Sequence, residues 1–558
     1  MHILGISCGG ESGVALFHDE RLLCAANEER FSRIKLDTNF PENALKWCLE
    51  DARITPEDID LIVYGFSNGC ETDSQKAAFM QTLIDVDPKS EAGEIIRSRI
   101  TTETEVDTEK YGEFMERVRM FFGREVPIER IHHHMSHVAS AYVPSGMEKA
   151  LVITADGRGD YRSLTIGIAT PAGFQELYTS PSWNSLGYFY GRMTKLCGFT
   201  PNRHEGKVTG LAAYGNADKA TAFVEKMVQV QEDRIVANLG AYYRPFFSNY
   251  SDTLLAEASG FTPEDLAAAT QKHFERMVTE LVHYYLHQTD IRNIAVAGGV
   301  FSNISLNQAL YEIDEAIDLF VYPNMGDAGI CAGGCYAWLW KNGKTRPGKL
   351  ESVYLGYKID PSGAVETLRR NGIVAESPDN LIDAAVEMLE SGNTLGLIQG
   401  RAEFGPRALG NRSILASPMQ RRIIAKINAQ LGRDTFMPLA PMIPLELAGE
   451  CVVFKNDRSV EKGFFMTMTY DAKPLLREKA EAVVHIDGTV RPQFVTKDSN
   501  PFVHALLMRW YAKTGCPALI NTSFNAHEEP IVNTEYDALR AFRNNVVDGL
   551  LIPPYLCR

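Results

Sequence analysis

Apolar residues recur along this chain in short runs broken by polar turns, and the run lengths are those of strands alternating with helices. The opening stretch HILGISCGGESGVALFHDERLLCAANEERF places two apolar runs around a glycine turn and a second turn at His18-Asp19-Glu20, the pattern of a strand hairpin. Further runs LIVYGF, ALVITADG, IRNIAVAGGV and IDLFVYPN alternate with helical stretches, which predicts an α/β chain. Thr262-Pro263-Glu264-Asp265 combines an N-cap, a first-turn proline and acidic residues, so a long amphipathic helix is expected from there to about Gln288. Residues 94–120 and 216–235 read as charged helices in peripheral insertions. The apolar, small-residue run DAGICAGGCYAW reads as a packed helix. The polar, basic turn from Lys341 to Lys349 marks the main boundary, dividing the chain into domains 1–345 and 355–558. No internal repeat is visible.

Composition narrows the partners. The chain has 558 residues, and its 71 acidic against 56 basic residues give a net charge of −15. With no basic stripe, a nucleic-acid partner is not expected. No run approaches the ~18 to 20 apolar residues of a membrane span, and the start lacks a secretory pattern, so a cytoplasmic location away from membranes is expected. The ten cysteines form no CxxC and read as reduced core thiols.

The densest chemical signal is Ile131-His132-His133-His134-Met135-Ser136-His137. On a helix His133 and His137 stand at i and i+4, a spacing that suits one metal ion, although such a pair alone reads more simply as a helix-start cluster. Asp156, ending ALVITAD, and Asp327, in Gly326-Asp327-Ala328-Gly329, shift that balance. Ligands collect at strand ends in α/β proteins, and two carboxylates with two imidazoles would make a mixed site for a divalent metal. Gly298-Gly299 through Asn303 runs from a strand into a helix start, as a nucleotide approach or as a tight turn. Glu205-Gly206-Lys207 reads as a site or as a surface loop. Arg401, Arg407 and Arg412 fall within the short stretch GRAEFGPRALGNRS, where guanidinium forks suit phosphate oxygens; its apolar flanks argue against a solvated loop. Arg491 in HIDGTVR, and Asn521 with Ser523 in ALINTSFN, add polar groups that taken singly read as structural turns.

In order, HHxxSH, ADG, EGKVTGLAAYG, GGVFSNISLN, GDAG, GRAEFGPRALGNRSI, HIDGTVRPQ and INTSFNAHEEPIV resemble the nodulation and antibiotic O-carbamoyltransferase family, which includes tobramycin and cephalosporin carbamoyltransferases. The resemblance implies an N-terminal domain of the actin-like ATPase superfold and a YrdC-like C-terminal domain. It further implies that carbamoyl phosphate and ATP, with Mg2+, give carbamoyl adenylate in the C-terminal domain. Transfer to a hydroxyl of a small natural product would follow in the N-terminal domain at a divalent metal of the iron (Fe2+) type. By residue, it implies metal ligation by His133, His137, Asp156 and Asp327, with Asp156, Asp327 and Arg491 catalytic. Adenosine would lie against Gly298, Gly299, Asn303 and Gly326, beside Glu205 and Lys207. Arg401, Arg407 and Arg412 would hold ATP phosphates, and Arg491, Asn521 and Ser523 carbamoyl phosphate.

Two departures bear on the chemistry. The family's HDASAAL is Gly10-Glu11-Ser12-Gly13-Val14-Ala15-Leu16 here, without the histidine. Its KxRExxRPxAP is the segment from Leu431 to Pro441, with Leu431 and Met437 in place of a lysine and an arginine that hold phosphate. These leave a different acyl adenylate, or a nucleotide-binding homologue without catalysis, as alternatives.

Overall fold

The apolar runs HILGIS, GVALFH, LIVY, ALVITAD, NIAVA and DLFV each form a strand. The computed structural model describes residues 1–67, 86–245, 250–432 and 439–558. The chain divides into two units, the first built from Met1–Leu23, Thr38–Glu42 and Arg53–Leu350, the second from Cys24–Asp37, Asn43–Ala52 and Glu351–Arg558.

The first unit contains two five-stranded sheets. One has the order β3-β2-β1-β4-β5, formed by His2–Ser7 (β1), Gly13–His18 (β2), Arg21–Asn27 (β3), Leu61–Tyr64 (β4) and Ile128–Arg130 (β5). The other has the order β12-β11-β6-β7-β8, from Ala150–Gly159 (β6), Arg162–Thr170 (β7), Gly173–Pro181 (β8), Asn293–Ala297 (β11) and Asp318–Val321 (β12). In both, the first strand pairs antiparallel with the second and parallel with the fourth, which is parallel to the fifth. This is one topology used twice, the duplication of the actin-like ATPase superfold. The repeat that the sequence conceals is therefore present in the chain path. It is invisible in the residues because strand order requires only buried apolar positions, which many unrelated side chains satisfy.

Two readings need correction. The stretch 94–120 lies in one helix, Glu91–Phe122, capped by Ser90 and closed by Gly123 in the left-handed region. It is no peripheral insertion, because Ile96, Arg99, Glu103, Asp107, Phe114, Val118 and Phe122 are buried along one stripe. The stretch 216–235 is mostly not helical. After two short turns it forms the hairpin β9 (Val228–Gln231) and β10 (Arg234–Ala237), because Val-Gln-Val-Gln alternates with period two and Glu232 takes a left-handed turn conformation. The expected long helix runs Pro263–Thr289. The nine described cysteines are buried and free of disulfides.

Helix packing positions the strand ends. The run ICAGGCYAWLWK forms a helix, Ile330–Lys341, lying against the histidine helix His133–Tyr142. A Cβ on Gly333 would come 2.2 Å from the Ser136 carbonyl oxygen, and one on Gly5 of β1 would come 1.9 Å from that of Cys331. Glycine at these two positions permits the close approach that brings the start of the 330–341 helix up to the histidines.

The second unit is built on an eight-stranded mixed sheet. Its middle strands Leu395–Ile398, Arg412–Ala416 and Leu519–Ser523 pair antiparallel, and the first of them is also parallel to Gly549–Ile552. Early residues complete this unit: Arg33 donates to the carbonyls of Ile531 (2.7 Å) and Pro530 (2.8 Å) and pairs with Asp537. Among the described residues no helix is long and apolar enough to cross a membrane.

The packing predicts that Gly333→Ala lowers stability by about 1–3 kcal/mol, since the new methyl meets main chain that cannot move aside. Gly112→Ala, where nothing lies within 4 Å of the added atom, should gain up to ~1 kcal/mol from helix propensity. Urea unfolding of the two variants beside the wild type checks both signs.

Candidate functional site

Local structure holds the histidines in place. The histidine helix begins at His133, whose backbone N–H donates to Asp160 Oδ2 at 2.7 Å, and Asp160 occupies the left-handed region in the β6–β7 turn. His134 Nδ1 meets Thr154 Oγ1 at 2.8 Å. Asp156 leaves the ladder because the β6–β7 register shifts between Ala155 and Gly159. Asp327 opens the short turn ahead of the 330–341 helix.

The four side chains converge. His137 Nε2 lies 3.2 Å from Asp156 Oδ2 and 3.5 Å from Asp327 Oδ1; His133 Nε2 lies 3.7 Å from each. Both histidines are fully buried, while the two aspartate side chains keep 18% and 19% of their surface exposed. All four facing atoms are buried without a well-formed hydrogen bond. Burial opposes the charged imidazolium of His137, but the facing carboxylates of Asp156 and Asp327 outweigh it and lift its pKa to about 9. Burial also works against the Asp156 carboxylate, yet the two histidines hold it well below its usual range. Asp327 is pushed up, by burial and then by Asp156. Within a protein-only site one carboxylate must thus be stabilised at the expense of the other. Four inward-facing atoms lacking donors, from two imidazoles and two carboxylates, form a group that could hold a metal ion, and the donor set suits a divalent transition ion.

Glycines give this group its room. A Cβ on Gly298 (φ 106°) would come 2.1 Å from the Ala155 carbonyl oxygen, and one on Gly299 would come 3.1 Å from Asp156 Oδ1. Gly326 lies beside Glu11, whose Oε2 would be 3.2 Å from an added Cβ. At Gly10 an added Cβ would come 1.9 Å from Asp327 Oδ2. Here is the physical reason for the missing histidine: with this backbone, a side chain at position 10 displaces Asp327.

Other expected nucleotide contacts have partners within the protein. Asn303 caps the helix Ile304–Glu312 through Leu306 N–H (3.1 Å) and pairs its amide with Gln271 at 3.0 and 2.9 Å. Glu205, at the start of helix Glu205–Ala212, accepts from Asn202 N–H at 2.6 Å, and burial raises its carboxyl pKa. Lys207 Nζ sits 5.7 Å from the centre of the Phe199 ring.

Sequence reasoning passed over a buried charge cluster on the 91–122 helix. Arg99 pairs with Glu103 and donates to Tyr188 Oη (3.1 Å), while Arg158, two residues after Asp156, binds Asp107 at 3.0 Å. Lys110 on the same stripe donates to the Gly9 carbonyl at 2.6 Å, and burial, then Arg158, lowers its pKa. The signal was legible: these charges stand at three- and four-residue steps in register with Ile96, Phe114 and Val118, on the face a helix buries.

In the second unit the arginine loop is preformed. Glu403 Oε1 accepts from the N–H groups of Leu409 (2.7 Å), Asn411 (2.9 Å) and Arg412 (3.3 Å). Arg412 is 1% exposed and donates to the carbonyls of Asn533, Gln399, Asn411 and Tyr357. In this structure it clamps main chain. Arg401 pairs with Asp51 at 2.8 Å and donates to the Gly356 carbonyl. Arg30, not anticipated from the sequence, is buried and donates to the Gly405 carbonyl at 2.7 Å. Arg407 differs: its Nε is buried with no hydrogen-bond partner, and burial with no compensating charge lowers its pKa to about 10. Asn521 gives its N–H groups to the Ala408 carbonyl and Gln493 Oε1, leaving a buried Oδ1 without a donor. Arg491 lies beside His485, and Ser523 is paired across the sheet with Ser413. Leu431 is 2% exposed at the end of helix Arg422–Leu431; Met437 lies outside the described residues.

A duplicated actin-like unit carrying a metal-competent quartet, followed by an α/β unit with an arginine loop, defines the class. The chain belongs to the carbamoyltransferase family: the family's N-terminal model, carbamoyltransferase N-terminus, matches residues 2–336, and its C-terminal one, carbamoyltransferase C-terminus, matches residues 386–558. It is 31% identical over 565 residues to nodulation protein NolNO of Sinorhizobium fredii, covering 98% of this chain and 79% of that protein. It is also 31% identical over 571 residues to the uncharacterized protein MJ1051 of Methanocaldococcus jannaschii, covering 99% of each. Among solved structures, (R)-2-hydroxyglutaryl-CoA dehydratase component A of Acidaminococcus fermentans aligns at 12% identity over 62% of this chain and 99% of its own, with a TM-score of 0.34.

The two arginines should respond oppositely. Arg412→Met takes a side-chain donor from four main-chain carbonyls and should cost about 3 kcal/mol or more, whereas Arg407→Met removes an uncompensated cation and should leave stability level or raised. Denaturant midpoints without ligands distinguish them; equal losses in both variants would contradict the assignment.

Proposed function

We propose that this carbamoyltransferase is ATP-dependent and works in two steps. In the C-terminal, YrdC-like unit (expected span 355–558), water hydrolyses carbamoyl phosphate to carbamate and phosphate, and a carbamate oxygen then attacks the ATP α-phosphorus and releases pyrophosphate. In the N-terminal unit (expected span 1–345), the hydroxyl of a small natural product attacks the carbamoyl carbon, and AMP leaves. The observation that carries this reading is a contrast: Arg407 is a cation whose buried Nε has no hydrogen-bond partner, and the quartet turns four buried ligand atoms toward one another.

The chain's groups suit these roles. Arg407 can fork onto phosphate oxygens, assisted by Mg2+ carried with ATP. Arg491 would carry charge against carbamoyl phosphate with Ser523 beside it. The unpartnered Asn521 Oδ1 suits an N–H of the carbamoyl group, which favours that donor over an acyl group lacking one. In the N-terminal unit Gly298, Gly299 and Gly326 leave room for adenosine. Lys110, beside the Gly9-Gly10 turn, can face the charge that grows on the departing AMP. A divalent ion of the iron type held by His133, His137, Asp156 and Asp327 would supply Lewis acidity toward the carbamoyl carbonyl. The carboxylate oxygens Asp156 Oδ1 and Asp327 Oδ2, which do not face the histidines, are acceptors for the hydroxyl proton. The cytoplasm supplies both donors, so we place the reaction there.

One observation favours a second reading, transfer from a different acyl adenylate. Leu431 is a core residue and cannot help to hold a phosphate dianion.

Exchange of labelled pyrophosphate into ATP tests the two. Exchange should require carbamoyl phosphate and fall roughly ten- to a hundredfold in Arg407→Met, the loss of one or two charge-assisted hydrogen bonds. His137→Ala should keep the exchange and lose carbamoyl transfer. Exchange supported by another acyl donor and not by carbamoyl phosphate would establish the second reading.

A further inference from the structure

The helix Pro263–Thr289 carries His283 and His287 one turn apart in its last turns, half-exposed on the surface. Both rings face Glu315, which lies in the connection between helix Ile304–Glu312 and strand β12. His283 Nε2 is 3.1 Å and His287 Nε2 3.0 Å from the same carboxylate oxygen, Oε1. The ligand atoms of the three residues lie within 4.8 Å of one another. A tetrahedral ion with bonds of about 2.0–2.1 Å keeps its ligand atoms roughly 3.3 Å apart, so both imidazole-to-carboxylate spacings are already near those of a loaded site. The ring centres are 4.6 Å apart, with planes at 73°, so the rings converge without stacking.

The framework around them is fixed. Asp290 closes the helix in the left-handed region with its N–H on the Leu286 carbonyl. The Glu315 connection is held by Ala316 N–H to the Ile313 carbonyl (3.0 Å) and Ile317 N–H to that of Arg292 (2.8 Å). The nearby guanidinium of Arg292 is paired with Asp290 at 2.9 Å. Neither imidazole has another hydrogen-bond or ion-pair partner among the described residues.

We propose that His283, His287 and Glu315 form a second divalent-cation site, of the zinc class, on the surface of the N-terminal unit. Two imidazoles with one carboxylate select a transition ion over Mg2+ or Ca2+, which prefer oxygen alone. Three protein ligands leave the fourth position to water. The ion joins the end of the 263–289 helix to the connection entering β12, the strand that leads toward Asp327, and so acts as a staple. The ligand set shares no residue with the buried quartet.

Chelator-stripped full-length protein, dialysed against Zn2+ and assayed for bound metal and for thermal unfolding, tests this. The wild type should hold one more equivalent than either Glu315→Gln or His283→Gln/His287→Gln, and only the wild type should gain the part of the Zn2+-dependent rise in midpoint that this site supplies, a few degrees. His137→Ala should retain the surface equivalent, which separates this result from any outcome at the quartet. Glu315→Gln serves as the comparison if the double variant's metal-free midpoint moves. Equal zinc content and equal midpoint rise in the wild type and both surface variants would overturn the proposal.

Discussion

Two carboxylates and two imidazoles, their facing atoms buried and turned toward one another, are the constraint on which the N-terminal unit depends. The bare protein can only share a proton among them, raising His137 and Asp327 while holding Asp156 low. Bringing carboxylates out of water costs several kcal/mol per ion unless an opposite charge compensates. A bound cation meets all four groups at once, so the surrounding packing reads as a frame for that charge. Gly10, Gly299 and Gly333 each leave space where a methyl group would touch a member of the quartet or the helix that delivers one.

The C-terminal unit presents the opposite case. Its arginine-rich loop concentrates positive charge, but most of that charge is structural. Arg412 and the Glu403 carboxylate tie the loop's main chain from opposite sides, one donating to carbonyls and the other accepting from N–H groups. Arg407 is thereby held on a preformed turn, with a buried Nε that has no hydrogen-bond partner and no ion-pair partner among the described residues.

Much of this was legible in the residues, and what escaped did so for physical reasons. The α/β alternation followed from run lengths, and the packed helix at Ile330 from its small residues. The i, i+4 spacing of His133 and His137 marked one helix face, but no local pattern shows that Asp156 and Asp327 meet it, because strands β6 and β12 are joined only through the sheet. Arg412 and Arg407 look alike in sequence; only burial and partners separate a main-chain clamp from an arginine with an unpartnered Nε. The pattern of helix 91–122 suggests a surface insertion only if its charges are solvated, whereas Arg99, Glu103 and Asp107 neutralise one another and Arg158 inside the protein. The duplicated sheet was hidden because topology survives when side chains diverge.

The central claim is that a metal ion completes the quartet. Anomalous X-ray scattering from crystals grown with a saturating divalent iron-type ion addresses it directly. The account predicts a peak about 2.0–2.2 Å from His133 Nε2, His137 Nε2, Asp156 Oδ2 and Asp327 Oδ1. Fully occupied metal elsewhere on the chain, with no peak among these four atoms, would contradict it.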